Sequence, residues 1–512
     1  MFNGILIGSD VVGSKLFSRA TGLYRLASLF RKQGHYIETI DFFNYWKSEQ
    51  LETLISEHPQ LAEKIDFIGI SFSFVQLDFE LLNDFIKLIK NKNPNCKIIA
   101  GGYGVLGNTS AFEMLAENDP IDIYFRGFVE GAFEDIEKFI GTGKFDPFKI
   151  DKVSINGVQK KVVNCNKHYL QYDLSRLLTE YKERDFIDKN EALVIETCRG
   201  CMFKCKFCTY ELIGKKKSDN YIREKEDLKK EIVTNYKLFG THKYIISDDT
   251  FNENPSKVDI LYEISQEIDF KVNYWCLARI DLIKARPNSI EKMIAAGISS
   301  YFFGIESFND KSASAIGKGF SGERLKNYLL EFRQKYSSID IGAGLIVGLP
   351  YEPLSVFDKN LEWCIDNQIF NTITINSLFI PKTNNLTESS IFSTDYKKYG
   401  YDAMSDEEIE QYKKENVIEN LSNKPINWVD TENYLAKFLP WKNEYMNFIQ
   451  SSHYVEKTTE KIRNKNLNEP GLFCFLNSFN HNSVIHEKQF STKNIFQIHR
   501  FISKYIKNKI SF

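Results

Sequence analysis

The sequence has little net charge and no long apolar run. Its 512 residues carry 66 Lys and Arg against 68 Asp and Glu, which leaves a formal net charge of −2. This balance gives no electrostatic reason to expect non-specific binding of nucleic acid. No apolar run reaches the roughly 18 residues that a membrane span requires, and the first residues, MFNGILIGSD, lack the features of a secretory signal. We therefore expect a cytoplasmic protein with no membrane span and no nucleic-acid partner.

Cysteine is scarce, but it is clustered. The chain holds nine cysteines, and an odd number in a cytoplasmic protein argues against a disulfide framework. Four of the nine lie between Cys198 and Cys208, a density that points to a metal. A hydrophobic share of 43% with 26% charged residues is typical of a globular protein. At this length, two or three domains are expected.

Residues 1–145 alternate short apolar strands with amphipathic helices. This alternation predicts a parallel, doubly wound Rossmann-like sheet, in which ligands bind beyond the carboxyl ends of the strands. Residues 146–190 differ, because Asn156-Gly157 stands between two β-rich runs and predicts a tight hairpin, followed by a connector.

A second alternating series covers residues 191–395 and holds six candidate βα units. This number fits a partial (β/α)6 barrel better than a second open sheet, and barrels carry their active sites at the carboxyl ends of the strands. Residues 396–512 are expected to be mostly helical and to close over the barrel mouth, where they would contribute to substrate specificity. The aromatic, histidine and cysteine residues noted in this region are Trp428, Trp441, His453, Cys474, His481 and His486.

The cysteine cluster directly follows the first strand of the second series. Cys201, Cys205 and Cys208 have the spacing C-x3-C-x2-C, and thiolates are the preferred ligands of Fe–S clusters. Three thiolates hold three irons of a [4Fe–4S] cluster. The fourth iron then stays open for a bidentate ligand, such as the amino and carboxylate groups of S-adenosylmethionine (SAM).

A structural zinc site that also uses Cys198 is the alternative. It would place four ligands within the eleven residues 198–208, whereas zinc sites normally separate two pairs of ligands by a longer loop. We therefore expect Cys198 to pack near the loop at the strand end and not to bind the metal.

The cysteine spacing, with Phe207 before the last cysteine, resembles that of radical SAM enzymes. The lead-in from Glu196 to Cys201 is similar to that of members with an N-terminal cobalamin-binding-type domain. Further similar stretches follow in the same order over residues 1–395: Gly69-Ile70-Ser71, Gly101-Gly102, Arg126-Gly127, Glu130-Gly131, Asp248-Asp249-Thr250-Phe251, Arg279-Ile280-Asp281, Gly304-Ile305-Glu306-Ser307, Lys318-Gly319 and Gly348-Leu349-Pro350. Each stretch is weak alone, and their collinearity carries the resemblance.

The resemblance implies a SAM site at the ends of the barrel strands. The residues expected to contact SAM are Phe207, Asp248 and Asp249 (amino group), Arg279 (carboxylate), Glu306 and Ser307 (ribose or methionyl group), and Ile346 and Gly348 (adenine). The alternatives are a helix cap for Asp248, an Arg279–Asp281 ion pair, and structural roles for Glu306 and Ser307. Lys318-Gly319 is expected at a helix end.

The resemblance also implies cobalamin in the N-terminal domain. Its nucleotide tail would contact Ser71 and Ser73 on the third strand, and Gly101, Gly102 and Gly104 after the fourth. Plain sheet packing and a tight turn are the alternative. The Asp-x-His-x-x-Gly stretch that places a histidine on cobalt is absent, and His35 is expected to be an ordinary packed or exposed residue.

The implied reaction is reductive cleavage of SAM at the cluster to a 5′-deoxyadenosyl radical. Cobalamin-dependent methylation of an unactivated carbon in a small molecule or peptide would follow. A flavodoxin or ferredoxin is implied as electron donor, and no catalytic side chain is predicted. Two alternatives stay open: a radical SAM enzyme that forms rings, rearranges or oxidises beside a vestigial cobalamin domain, and a non-catalytic Fe–S or zinc protein.

Overall fold

The computed structural model describes residues 1–8, 19–72, 77–102, 119–155, 158–169, 174, 178–208, 221–378, 380, 390–403, 407, 441–443 and 492–511. The strands within these ranges are β1 (Asn3–Gly8), β2 (Tyr36–Ile40), β3 (Phe67–Ser71), β4 (Lys97–Gly101), β5 (Ile123–Arg126), β6 (Asp151–Ile155), β7 (Val158–Asn164), β8 (Ala192–Ile195), β9 (Lys243–Ile246), β10 (Asn273–Ala278), β11 (Ile298–Glu306), β12 (Asp340–Val347), β13 (Thr372–Ser377), β14 (Tyr401–Ala403) and β15 (Trp441–Asn443).

The α-helices within the same ranges are α1 (Thr21–Lys32), α2 (Ser48–Glu57), α3 (Pro59–Glu63), α4 (Phe79–Lys92), α5 (Phe133–Thr142), α6 (Cys165–His168), α7 (Lys225–Phe239), α8 (Pro255–Glu267), α9 (Ile280–Ala285), α10 (Pro287–Ala295), α11 (Asp310–Ala315), α12 (Gly322–Lys335), α13 (Leu354–Asp366), α14 (Ile391–Asp395) and α15 (Thr492–Ile510). In the ranges that the structure describes, none of these helices is long and apolar enough to cross a membrane.

The N-terminal sheet has seven strands in the order β2-β1-β3-β4-β5-β7-β6. Strands β1 to β5 run parallel, as predicted, and their apolar runs are buried on both faces. Helix α1 covers this sheet with Leu23, Tyr24, Ala27 and Phe30, which are spaced by three or four residues and buried. The doubly wound class is confirmed.

The predicted hairpin joins this same sheet. Ile155 pairs with Val158 across the antiparallel strands β6 and β7, and β7 pairs parallel with β5. The hairpin therefore extends the N-terminal sheet by two strands before the chain enters the second domain.

The second sheet has six parallel strands in the order β13-β12-β11-β10-β9-β8. Each neighbour in the sheet is a neighbour along the chain, with helices between them, which is the arrangement of the predicted partial barrel. All six carboxyl ends lie at one edge, where the candidate site residues collect.

The last helix does not cover the barrel. Tyr505 of α15 is buried against the N-terminal domain, and its hydroxyl accepts a hydrogen bond from the N–H of Asp41 at 3.0 Å. Lys509 forms a buried ion pair with Glu38 on β2. The lid predicted for residues 396–512 is therefore wrong for α15, because its apolar face packs on α2 and β2. Trp428, His453, Cys474, His481 and His486 lie outside the described residues, and only the backbone of Trp441 is described.

Candidate active site

The cysteine loop leaves the end of β8 at the carboxyl edge of the barrel sheet. Cys201 is 7% exposed, whereas Cys205 and Cys208 are half-buried. The loop is tied to the barrel at its middle, because the N–H of Lys206 donates to the carbonyl of Ile316 at 3.1 Å. All three predicted cluster ligands therefore lie on one anchored segment.

Asp248 holds the main chain that leads into this loop. Its Oδ1 accepts hydrogen bonds from the N–H groups of Thr197 at 2.8 Å and Cys198 at 3.2 Å. The side chain has no exposed surface, and its Oδ2 pairs with Lys257. This carboxylate therefore positions the cysteine loop, and the predicted contact between Asp248 and SAM stays a prediction. Asp248 does not cap the following helix, since Asn254 caps α8.

Glu253 also holds the main chain of the cysteine loop, and Lys257 pairs with both Glu253 and Asp248. Glu253 Oε2 accepts from the N–H of Met202 at 3.0 Å. Lys257 Nζ lies 3.1 Å from Asp248 Oδ2 and 3.4 Å from Glu253 Oε1, with its side chain fully buried. One buried cation thus compensates two buried carboxylates, the condition under which such charges are tolerated.

Cys198 packs behind the loop, at the end of the strand. It is 2% exposed, and Lys257 Nζ donates to its Sγ at 3.0 Å. Burial, followed by the nearby Asp248 carboxylate, raises the pKa of this thiol. Its surroundings differ from those of Cys205 and Cys208, which keep partial exposure.

Two of the cluster cysteines have polar neighbours at their sulfurs. Cys201 Sγ lies 3.5 Å from Thr250 Oγ1, and Cys205 Sγ lies 3.8 Å from a terminal nitrogen of Arg279. In the described part of the chain, no three His, Cys, Asp or Glu side chains surround a point that one ion could occupy. In a cubane, each thiolate binds a separate iron. Three soft donors beside a hydroxyl and a guanidinium fit a [4Fe–4S] cluster, whose sulfurs accept such hydrogen bonds.

Arg279 directly follows β10 and forms the ion pair considered as its alternative role. Its Nε and one terminal nitrogen lie 3.0 and 2.7 Å from the carboxylate of Asp281. The other terminal nitrogen faces Cys205, and the guanidinium lies 3.9 Å from the ring centroid of Phe203. Arg279 is thus fixed beside the cysteine loop, with one N–H edge turned toward it.

Asp249 differs from its neighbour Asp248 because it retains partial exposure. Burial and the adjacent Asp248 carboxylate raise the pKa of Asp249 to about 7. Of the two predicted aspartates, Asp249 is the one whose position at the edge of the sheet leaves it open to a ligand.

Glu306 sits on a β-bulge at the end of β11. The pairing with β12 shifts by one residue between Gly304 and Glu306, and Glu306 has a φ of 65°. Bulges of this kind re-aim a side chain and are frequent next to active sites. Lys318, which follows the end of α11 as predicted, donates from Nζ to Glu306 Oε1 at 3.4 Å. Burial raises the pKa of Glu306 despite this lysine.

Ser307 follows β11 directly and bonds to a residue beyond β12. It is 2% exposed, and its hydroxyl donates to Glu352 Oε1 at 2.7 Å. Glu352 is equally buried, and its Oε2 has no described partner. Burial raises the pKa of Glu352 to about 7. The Ser307 hydroxyl thus links the chain after β11 to the chain after β12, and its predicted contact with SAM stays a prediction.

An apolar surface connects the cysteine loop with β12. Ile346 and Phe207 belong to one hydrophobic cluster, together with residues near the end of the sheet. Gly348 is the first residue after β12, and its carbonyl accepts a hydrogen bond from the hydroxyl of Tyr401 at 2.7 Å. Ile346, predicted to contact adenine, and Phe207, predicted to contact SAM, thus belong to the same apolar surface.

The predicted cobalamin contacts lie at the edge of the other sheet. Ser71 and Gly101 end β3 and β4 and pair directly. Gly102 has a φ of 98°, and a Cβ there would lie 2.3 Å from the carbonyl oxygen of Phe72. This close approach of two backbones accounts for glycine at that position. Ser73 and Gly104 lie outside the described residues.

Three buried residues of the site were not predicted from the sequence: Glu253, Lys257 and Glu352. Glu253 and Lys257 are four residues apart, the spacing of an ordinary surface ion pair on a helix. The pattern therefore carried no sign that both would be buried. Glu352 lies two residues after the Gly348-Leu349-Pro350 stretch, and this proximity was the one available signal.

The second sheet lies largely within a segment that matches a known protein family. Residues 195–364 match the family model described as the radical SAM superfamily. A protein of Pyrococcus horikoshii named as an uncharacterized methyltransferase is 25% identical over 355 residues, which cover 67% of this chain and 72% of the relative.

Two solved structures share the fold over both sheets. The radical SAM methyltransferase TsrM from Kitasatospora setae, determined with tryptophan substrate and a SAM analogue, has 13% identity and a TM-score of 0.57 over 79% of each chain. The cobalamin-dependent SAM radical enzyme OxsB, determined with aqua-cobalamin and SAM, has 14% identity and a TM-score of 0.56 over 99% of this chain and 72% of that one.

The matched segment begins on β8 and contains the cysteine loop together with every barrel residue discussed above except Tyr401. The shared fold continues into the N-terminal sheet. The barrel segment of this chain matches the radical SAM superfamily, and the chain shares its fold over both domains with the radical SAM enzymes TsrM and OxsB.

Proposed function

We propose that this chain is a cytoplasmic, cobalamin-dependent radical SAM methyltransferase that acts on an unactivated carbon of a small molecule or peptide. One observation carries the proposal. Cys201, Cys205 and Cys208 lie on a loop anchored at the carboxyl ends of six parallel strands. The name of the P. horikoshii relative and the cobalamin bound in OxsB support the methyl-transfer part.

Cys201, Cys205 and Cys208 would hold the cluster. When bound, the cluster, SAM and cobalamin supply the electron, the hydrogen-abstracting radical and the methyl carrier that this reaction needs. Asp248, Glu253 and Lys257 keep the main chain of the loop in one conformation. Because their side chains are buried, they support the loop without occupying the space above it.

The open positions at the strand ends would bind SAM. Glu306, re-aimed by the bulge and held by Lys318, would accept hydrogen bonds from ribose hydroxyls. Asp249 would accept from the SAM amino group. Ile346 and Phe207 would contact adenine and exclude water from that side.

Cobalamin would bind at the N-terminal sheet. Ser71, Gly101 and Gly102 would lie against its nucleotide tail at the carboxyl edge of the N-terminal sheet, the usual ligand position in such sheets. A flavodoxin or ferredoxin would donate electrons.

Anaerobic reconstitution with iron, sulfide, SAM, a strong reductant and hydroxocobalamin tests the proposal. The expected results are a cobalamin absorption spectrum retained through gel filtration and release of 5′-deoxyadenosine from SAM. Absence of SAM cleavage in protein that contains the cluster would refute it.

A radical SAM enzyme without cobalamin is the second candidate. The observation that favours it is Gly102, whose conformation is accounted for by contact with the backbone of Phe72. Cleavage of SAM without retained cobalamin would support this candidate, and a retained cobalamin spectrum would exclude it.

A further inference from the structure

Four buried charges form a ring between the N-terminal domain and the lead-in to the cysteine loop. Arg25 lies on α1 and Glu130 follows β5, whereas Glu196 and Arg199 precede Cys201. The four residues, called here the interdomain ring, are between 3% and 8% exposed. Their charges sum to zero, with two cations and two anions.

Positive and negative side chains alternate around the interdomain ring, so each contact joins an arginine to a glutamate. Both terminal nitrogens of Arg199 bond to the Glu130 carboxylate, one of them at 3.0 Å, and its Nε lies 3.1 Å from Glu196 Oε1. Arg25 lies 2.6 Å from Glu196 Oε2 and 4.0 Å from Glu130 Oε1. The Arg199 guanidinium is therefore held by one carboxylate from each domain, in the fork geometry that fixes its orientation.

The segment that carries Glu130 contacts Arg199 through two side chains, those of Glu130 and Phe128. Gly127 has a φ of 87°, and a Cβ there would lie 2.6 Å from Asn166 Oδ1, so glycine is required for this turn. The turn places the ring of Phe128 4.1 Å from the Arg199 guanidinium. The carboxylate and the aromatic face thus reach the same side chain from one short stretch of the N-terminal domain.

Arg199 stands two residues before Cys201, and its own N–H donates to the carbonyl of Tyr221 at 3.2 Å, where the chain returns from the loop. We infer that Glu130 and Arg25 are positioning residues for the cluster. Acting through Arg199 and Glu196, they fix the approach of the chain to Cys201. The N-terminal domain is therefore part of the support of the cluster site. This inference rests on the cluster of the proposed function, not on cobalamin or methyl transfer.

Glu130→Gln tests the inference, with Asp185→Asn as matched control. Asp185 is a fully buried carboxylate that forms a bidentate pair with Arg31 of α1, 2.9 Å at each contact, and it contacts no part of the cysteine loop that is described. In reconstituted protein, Glu130→Gln should lose iron to a chelator about tenfold faster than wild type, because loss of groups that orient metal ligands lowers metal affinity about 10- to 100-fold. Asp185→Asn should lose it at the wild-type rate.

Hydrogen exchange on the metal-free proteins gives a second readout, which needs no cluster. Faster exchange over residues 196–202 in Glu130→Gln, but not in Asp185→Asn, is expected. Unchanged exchange and iron loss in Glu130→Gln, or equal effects in both variants, would overturn the inference. Glu130→Asp, which keeps the charge, replaces Glu130→Gln if that protein does not fold. A wild type that binds no iron would end the proposed function, whereas the exchange comparison would still show whether Glu130 orders the main chain that leads to Cys201.

Discussion

Adjacent aspartates at the end of β9 have different surroundings. Asp248 is fully buried and accepts hydrogen bonds from main-chain N–H groups of the cysteine loop. Asp249 stays partly exposed at the edge of the sheet. The sequence shows two acidic residues after a strand and predicts their place correctly. It could not show which carboxylate turns inward, because that depends on Lys257, which lies on the next helix.

Replacement of Lys257 by Met should strongly destabilise the protein. The change leaves Asp248 and Glu253 buried without a counter-charge, and breaking a buried pair in this way costs about 3–5 kcal/mol. Denaturant unfolding measures the change in the free energy of unfolding. The control is Lys292→Met, which removes a half-exposed ion pair with Asp259 and should change stability by less than about 1 kcal/mol. Equal effects of the two substitutions would contradict the structural role of Lys257.

Glu352 should make stability depend on pH. Burial raises its pKa from 4.5 to about 7, so between these values the folded protein keeps a proton that the unfolded chain has lost. The stability contribution is complete below the unfolded pKa and is lost as pH rises through the folded pKa. Glu352→Gln keeps the side-chain shape and removes this loss. The free energy of unfolding of Glu352→Gln, relative to that of wild type, should therefore increase by on the order of 3 kcal/mol from pH 4 to pH 8.

Denaturant unfolding of wild type and Glu352→Gln at the two pH values measures this gain. Asp249, whose pKa is also raised to about 7, is present in both proteins, so its contribution cancels in the difference. The exposed Glu323→Gln serves as control. A stability difference that does not change with pH would show that folding leaves the pKa of Glu352 unshifted.

At the scale of elements, the strands and their order follow from the sequence, but the partner of the last helix does not. Apolar runs separated by amphipathic helices predict parallel sheets, and Asn156-Gly157 predicts the hairpin between β6 and β7. Helix α15 has an apolar face that could pack on either domain. Its place is decided by contacts across more than 460 positions of the chain, between Tyr505 and Asp41 and between Lys509 and Glu38, which no local pattern records.

Lys509→Met should therefore weaken the N-terminal domain. The change leaves the buried Glu38 carboxylate with less compensation, and Arg184 is its remaining close cation, at 2.7 Å. Hydrogen exchange should show faster opening of β2, with the barrel strands unchanged. Lys504→Met, at an exposed position of the same helix, should leave β2 as in wild type. Faster exchange confined to the barrel edge would instead indicate that α15 serves as a lid.

At the scale of the whole molecule, the two sheets are joined next to the cysteine loop. The interdomain ring and the buried support from Asp248, Glu253 and Lys257 approach the loop from opposite parts of the chain. The sequence resemblance contained Glu130-Gly131 and the lead-in from Glu196 to Cys201 as separate stretches. Only the fold shows that they meet, because the contact between Arg199 and Glu130 spans 69 positions.

The central claim is that the three cysteines on this loop hold a [4Fe–4S] cluster and that Cys198 does not. Iron and acid-labile sulfide in anaerobically reconstituted wild type, Cys198→Ser and Cys205→Ser test it most directly. We expect about four irons per chain in wild type and in Cys198→Ser, and a large loss of iron in Cys205→Ser. A single zinc in wild type, or a loss in Cys198→Ser equal to that in Cys205→Ser, would contradict it.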